Sequence, residues 1–424
     1  MGEIPIPKTR RGVKPSAALA ALLLTVAPAA AQEHVHAPDS AAVRLSVSAQ
    51  AIPLVTHTAP ALNGESSTEA QVTQPLVMAH VTGWGGRAAL VASINLEALS
   101  LADGEPNPGI WGEGFIDRRH PHTVMHEAVA TFSPLGGPHA RGEISVSAGR
   151  GFVPFGSDDP MVRPFVKFPA NHHLAQVLER LMTIVAVRRG PLALEGALFA
   201  GNEPFGTGDM GDPGRFGDSW AVRATLAPRR GWEASGGYAR INSPEEPRGV
   251  GLDHDKIAAS VRYEADCGSA SRDYALVEWA RTDQMNGSLR SFRLSSVLAE
   301  GAVRRHGIEM ALRLERTERP EEERLADPFR TPSPHADVSL QGITRWTIAT
   351  LHLSHGAGSL GGIRMRPFVE AARLAAEPLR TASVFVPREF YGSDRMWTLA
   401  AGARIEIGGT HPRMGRYGAA ARGH

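Results

Sequence analysis

Segments of alternating apolar and polar residues follow one another along the chain, and the links between them are short and long in strict turn. The segments lie at about 44–58, 69–82, 88–101, 126–135, 141–153, 180–188, 192–200, 219–228, 232–242, 254–265, 274–283, 291–303, 306–317, 341–354, 361–374 and 396–408. Within 306–317, Ile308, Met310, Leu312 and Leu314 alternate with Glu309, Ala311, Arg313 and Glu315. In 396–408, Trp397, Leu399, Ala401, Ala403, Ile405 and Ile407 share one face, while Thr398, Arg404 and Glu406 share the other. Successive side chains of a strand point to opposite faces, so this period marks strands with one apolar and one polar side. The short links include 83–87, 136–140, Arg189-Gly190-Pro191, Arg229-Arg230-Gly231, the turn at Cys267, Arg304-Arg305 and 355–360. Between them lie 59–68, 102–125, 154–179, 201–218, 243–253, 284–290, 318–340 and 375–395.

Two architectures share that alternation. A sheet in water hides its apolar face in a core. A membrane barrel turns that face to lipid and keeps the polar face around water. A secreted sandwich or solenoid does not require links of alternating length, whereas an up-and-down barrel with tight periplasmic turns and larger outer loops does. The reading is therefore all-β: a transmembrane antiparallel up-and-down β-barrel of about sixteen strands over residues 44–408, fourteen being the other count the pattern allows. An even count puts both ends in the periplasm. Segments of ~9–14 residues suit a tilted strand crossing the hydrocarbon layer. Two features depart from the pattern. The chain does not end on an aromatic residue in its last strand but continues through 409–424, read as a periplasmic tail. The first strand also contains Pro53, and 341–354 needs a bulge to keep Trp346, Ile348, Leu351 and Leu353 on one face.

The N-terminus supports delivery across a membrane. A basic stretch ends at Lys14, an apolar run covers 17–26, and Ala29-Ala30-Ala31 offers a small-residue cleavage site. Residues 1–31 are read as a Sec-type signal peptide and 32–43 as a flexible periplasmic segment. The leader carries a net charge of +3 and the remainder −2, so the pI of 8.1 is no nucleic-acid signal. Beyond residue 31 no run approaches the ~18 apolar residues of a membrane helix. Cys267 is the single cysteine, which excludes an intramolecular disulfide scaffold. The implied location is the outer membrane of a Gram-negative-type bacterium, with its lipid as partner.

Three groups of residues carry candidate chemistry. His120, His122 and His126 cluster beside Asp117, Arg118 and Arg119, and imidazoles at this spacing suit a transition metal. The alternative is a structural loop in which Asp117, Arg118 and Arg119 pair with barrel charges. The long link 154–180 carries Asp158, Asp159, Arg163, Lys167, His172 and His173, a set able to narrow a lumen if the loop folds inward. Third, the alternation places Arg262, Glu264, Glu309, Arg313, Arg364, Arg366, Arg404 and Glu406 inside, within a wall of seven basic and eight acidic groups. Signs so mixed predict no ion preference, only a network of paired charges stiffening the barrel. There is no G-x-S-x-G elbow, phosphate loop or CxxC, and Ser157 has no convincing base, so no enzyme is expected.

The run Gly-Glu-Gly-Phe-Ile-Asp-Arg-Arg-His-Pro-His-Thr at 112–123, followed by His126-Glu127, resembles a family of uncharacterised bacterial outer-membrane, porin-like proteins. Arg163-Pro164-Phe165, Pro169, Asn171-His172-His173, Gln176 through Arg180, and the tail Arg413 to Gly418 are similar to it as well. The resemblance covers most of the mature chain loosely and these segments specifically. It implies an outer-membrane barrel and no established substrate.

The leading expectation is a porin-like channel for diffusion of small polar solutes or ions, gated by loop 154–180, with no cofactor. A barrel of about sixteen strands is wide enough for an aqueous lumen. The competing expectation is a plugged barrel that binds a transition metal through His120, His122 and His126 as a binding or scaffold protein. The sequence leaves the oligomeric state open.

Overall fold

The structure is a computed structural model and describes residues 43–61, 64–97, 122–135, 142–157, 160–204, 207–266, 271–321, 342–356, 359–360, 362–379, 386–408 and 413–421. The leader, residues 32–42, the Asp117-Arg118-Arg119-His120 run, Asp158, Asp159 and Cys267 lie outside the described residues.

The strands are β1 (Arg44–Ala59), β2 (Ser67–Gly83), β3 (Ala88–Asn95), β4 (Met125–Leu135), β5 (Gly142–Gly151), β6 (Arg180–Arg189), β7 (Leu192–Phe199) and β8 (Ser219–Arg229). They continue as β9 (Trp232–Ile241), β10 (Asp253–Asp266), β11 (Arg272–Asn286), β12 (Leu289–Arg305), β13 (Ile308–Glu321), β14 (Gly342–His355), β15 (Ile363–Pro378) and β16 (Arg395–Gly408). A two-residue piece, Ser359–Leu360, folds onto the start of β15 as part of the preceding turn. Each strand runs antiparallel to its sequence neighbours, and β16 pairs with β1 from Ser48↔Gly408 to Ala59↔Trp397. The result is a closed sixteen-strand barrel, the larger of the two counts the sequence allowed. Closure removes both sheet edges, so the strand backbone pairs around the whole circumference, as hydrocarbon demands.

Burial is inverted relative to a soluble sheet. On β13, Met310, Leu312 and Leu314 face outward at 58%, 49% and 51% exposure, while Glu309, Arg313 and Glu315 are buried inside. The same exchange recurs around the wall: Val277, Val297, Leu351, Val369 and Leu399 are exposed, and Glu195, Arg223, Glu278 and Glu370 are buried. In water such a continuous apolar surface would far exceed the few hundred Å² a soluble protein tolerates. Against acyl chains it is the favourable arrangement, and the polar wall is left to the lumen.

Three expectations need correction. β14 carries no bulge: its pairing with β13 and β15 is continuous, so Leu351 and Leu353 face lipid while Trp346 and Ile348 face inward. The reason is a dry patch inside the barrel, where Trp346 meets Tyr391 at 6.1 Å between ring centroids and packs with Ala170, Leu374 and Met396. The third strand stops at Asn95 rather than continuing towards 101. The C-terminal residues, read as a tail beyond the barrel, fold into it over 413–421: Met414, Tyr417, Ala419 and Ala420 are all buried. Pro53 is accommodated where the β1–β16 ladder is interrupted between Ala51 and Leu54. Gly402, the partner of Leu54 across that ladder, has no room for a side chain, because a Cβ there would come within 2.3 Å of the Pro53 carbonyl oxygen.

Candidate functional site

The site is the lumen, and the segment between β5 and β6 fills most of its width. Residues 152–179 contain Pro154, Pro160, Pro164 and Pro169, which oppose regular strand or helix, and Phe152, Phe155, Phe165 and Phe168, which oppose exposure. Folding inward satisfies both. The four rings are 1–4% exposed; Phe152, Phe155 and Phe168 join Val153, Met161 and Val177 in an apolar core inside the barrel, while Val166 and Phe165 pack in two further buried clusters. The path returns on itself, with Val153 N–H bonded to the Val177 carbonyl at 3.0 Å. Gly156 has φ +69°, and a Cβ there would lie 1.7 Å from the Ala175 carbonyl oxygen, so only glycine allows this crossing. The described part of the loop contains a 3-10 turn at Pro160–Val162 and one α-helical turn, α1 (His172–Ala175).

A loop with few backbone partners of its own must borrow acceptors, and the wall supplies carboxylates. Glu370 on β15 accepts from Val166 N and Lys167 N, both at 2.9 Å. Glu315 on β13 accepts from Ala170 N at 2.6 Å, and Glu278 on β11 from Asn171 Nδ2 at 2.8 Å. Glu278 also accepts from the Ser157 hydroxyl. Arg313 donates to the Lys167 carbonyl at 2.8 Å and to Glu300 at 2.7 Å, with its guanidinium 4.1 Å from the Phe165 ring centroid. Lys256 on β10 donates to the His173 carbonyl, Arg404 on β16 to Phe165, and Gln74 on β2 to Val166. The contacts are spread around the circumference, so the loop spans the lumen rather than lying on one wall.

The residues proposed from sequence to shape the pore are thereby located. Arg163 and Lys167 are buried and aimed at the wall: Arg163 lies 3.5 Å from Glu278 and 3.7 Å from Glu300. Burial lowers the Lys167 ammonium from its usual range, opposed by Glu315 and Glu370. His172 is buried beside Phe168, and His173 is half-buried at a small polar cavity shared with His122, Glu203 and Lys256. Arg262, Glu264, Glu309, Arg313, Arg364, Arg366, Arg404 and Glu406 all sit on inward-facing positions, as the alternation required.

His122 and His126 do come together, with ring centroids 5.0 Å apart. Each meets a carboxylate absent from the sequence reading: His122 Nδ1 lies 3.1 Å from Glu97, and His126 Nδ1 lies 2.6 Å from Glu179. Glu179 also accepts from Thr123 N, and Arg150 donates to Thr123 Oγ1 at 2.9 Å. Among the described residues no group of three or more His, Cys, Asp or Glu is arranged to hold a metal ion. The pair acts here as an anchor that ties the start of β4 to the end of the loop.

Burial would raise the Glu179 carboxyl, but the His126 hydrogen bond, the charge of His126 and His122 and the Thr123 N–H together hold it below the usual range. A depressed carboxylate stabilises the fold above its unfolded pKa of about 4.3, and that contribution is lost as pH falls through the lower folded value. Wild type should therefore lose thermal stability below about pH 4.3 more steeply than Glu179→Gln. Melting temperatures across pH 3–7 check this, and equal slopes would contradict it.

The C-terminal segment is the second inward element. Arg416 donates to Glu233 at 2.6 Å and to Thr225 Oγ1 at 2.8 Å, and lies 3.7 Å from Glu195. Arg413 shares Glu233. The Tyr417 hydroxyl donates to Glu127 at 2.6 Å and accepts from Phe152 N at 3.1 Å, joining tail to loop. Burial and the Glu127 carboxylate push that hydroxyl well above its ordinary pKa.

No protein-family model matches the chain, and no curated protein does. Solved structures do. An anion-selective porin from Comamonas acidovorans superposes with a TM-score of 0.53 at 13% identity, covering 86% of this chain and 100% of that one. OprB of Pseudomonas putida, in its high-pH structure, gives 0.52 at 11% identity over 88% and 95%. The fold is a porin-type β-barrel.

Proposed function

We propose that this chain is an outer-membrane channel of porin type that admits small polar solutes or ions past the loop 152–179. The observation that carries the reading is the pairing of an apolar outer surface with a charged inner wall in a closed sixteen-strand barrel. Diffusion through such a lumen requires no cofactor and no catalysis. The inward aromatic core makes the passage narrow, so purified protein in planar bilayers should give discrete conductance steps of small amplitude. A barrel that is folded by circular dichroism yet never conducts would refute the channel.

The plugged alternative draws its support from the same dry core and from the His122–His126 pair, to which His120 would add a third imidazole. Metal analysis of the purified protein decides it: stoichiometric metal lost on His122→Ala favours a metal-holding barrel, and none in the wild type removes that reading.

A further inference from the structure

The loop draws its charge partners from the middle of the lumen, but the wall near the short turns is charged differently. There β10, β11, β12, β15 and β16 present an arc of inward arginines. Three glutamates serve four of them: Glu264 pairs with Arg262 and Arg272, Glu309 with Arg304, and Glu406 with Arg364 at 3.5 Å. Two remain, Arg366 and Arg404. They face each other directly in the β15–β16 register, so both guanidiniums project from the same patch of inner wall. Among the described residues no carboxylate forms a salt bridge with either, and Arg404 reaches only the Phe165 carbonyl at 3.4 Å. Arg272 and Arg304 are likewise direct cross-strand partners.

Like charges directly opposite on a sheet are destabilising. Two such pairs lie in the arc, one on β11–β12 and one on β15–β16, and its described charges are six arginines against three glutamates. The arc is not sealed off: the Arg364 side chain is 41% exposed, and Arg366 and Arg404 are half-buried. Residues 418–420 of the C-terminal segment pack against β4–β7, and Arg416 bonds to β8 and β9.

We propose that Arg366 and Arg404, flanked by Arg364 and Arg304, form a binding site for divalent oxyanions, the phosphate or dicarboxylate class, on the permeation path. Planar guanidinium forks match such groups bidentately, and two adjacent forks fit a dianion better than chloride. The excess positive charge also raises anion concentration at the turn-side mouth, giving an anion preference that a count over the whole wall conceals. The selectivity half rests on the channel reading; the binding half does not.

The test therefore has two arms. Inorganic phosphate, and separately succinate, is titrated calorimetrically into full-length protein in detergent at low salt, with Arg366→Gln/Arg404→Gln compared against the outer-wall control Arg316→Gln. Loss of two charge-assisted contacts should weaken binding by about tenfold or more in the double variant and leave the control unchanged. In the second arm, reversal potentials in a KCl gradient should show anion preference in wild type, reduced in the double variant. No binding of either anion to wild type, or binding indifferent to the double substitution, overturns the site. A conducting wild type without anion preference overturns its role in selectivity. Absence of any conductance would count against the channel alone, because calorimetry still decides the site.

Discussion

Excising residues 157–175 and joining Gly156 to Gln176 through a short Gly-Ser linker should raise single-channel conductance several-fold while the barrel still forms. The join is geometrically mild, because Gly156 already lies against the Ala175 carbonyl and Val153 against Val177. The barrel does not depend on the loop for its ladder, which closes around all sixteen strands. What the deletion removes is the apolar core across the lumen, including Met161, Phe165 and Phe168. The wall carboxylates Glu278, Glu315 and Glu370 lose their N–H donors, but in an opened lumen water replaces them, so the net loss is about 1.5–3 kcal/mol per bond, as for hydrogen bonds to charged groups, with no buried group left unpaired. Glu370→Ala in the intact protein is the contrasting case. It leaves Val166 N and Lys167 N buried without their acceptor, at about 1–3 kcal/mol each. The deletion should thus conduct more with some loss of stability, and the point variant should lose stability with little change in conductance. Bilayer recordings and urea titrations in lipid vesicles separate the two. Unchanged conductance in the folded deletion variant would show that the loop is not the constriction.

The barrel was legible because two physical rules act on every strand independently. Side chains alternate with period two, and lipid outside with water inside fixes which set is apolar. Ile308 to Glu315 displays both rules in eight consecutive residues. Where a third environment intervenes, the reading failed. Trp346 and Ile348 break the apolar-outward rule because the folded-in loop makes part of the lumen dry, a circumstance that β14 itself does not record. Arg163 and Lys167 sit in a long link that narrows a lumen only if it folds inward; the carboxylates near them, Glu278, Glu300, Glu315 and Glu370, lie more than a hundred residues away in sequence. Glu97 and Glu179 lie 25 and 53 residues from the histidines they hold, and nothing in the spacing marks them as partners. The inner wall also carries Glu233, Arg272, Glu300 and Arg304, which the count of seven basic and eight acidic groups leaves out, and one average over the wall hides their arrangement. Near the middle of the lumen Glu300 and Arg313 pair; near the turns Arg366 and Arg404 face each other. Position along the strand, not composition, separates these, and only register reveals it.

The C-terminal segment gave the weakest sequence signal, since it has no periodicity and few apolar residues, yet its removal should have the second large effect. Arg416 is 4% exposed and sits between Glu195 and Glu233 with Thr225 as a further acceptor. Arg416→Ala leaves Arg223 on Glu195 and Arg413 on Glu233, which already serve them. Removing one partner from a buried ionic group costs about 3–5 kcal/mol, and the remaining arginines should hold the loss near the lower end. Arg416→Lys should not restore it, because a single ammonium cannot span Glu233 and Thr225 as the planar fork does. The consequence travels further than the tail. Tyr417 bonds both Glu127 and the N–H of Phe152, the first residue of the lumen loop, and Met414 packs in the same core as Phe152 and Phe155. A released tail therefore frees the entrance of the loop, so Arg416→Ala should raise conductance or its fluctuation as well as lower the denaturation midpoint. Tyr417→Phe keeps the ring in the core and cuts only the link to Glu127 and Phe152, and should reproduce the conductance change with less loss of stability. If both variants match wild type in midpoint and in current, the segment merely lies on the wall and holds nothing.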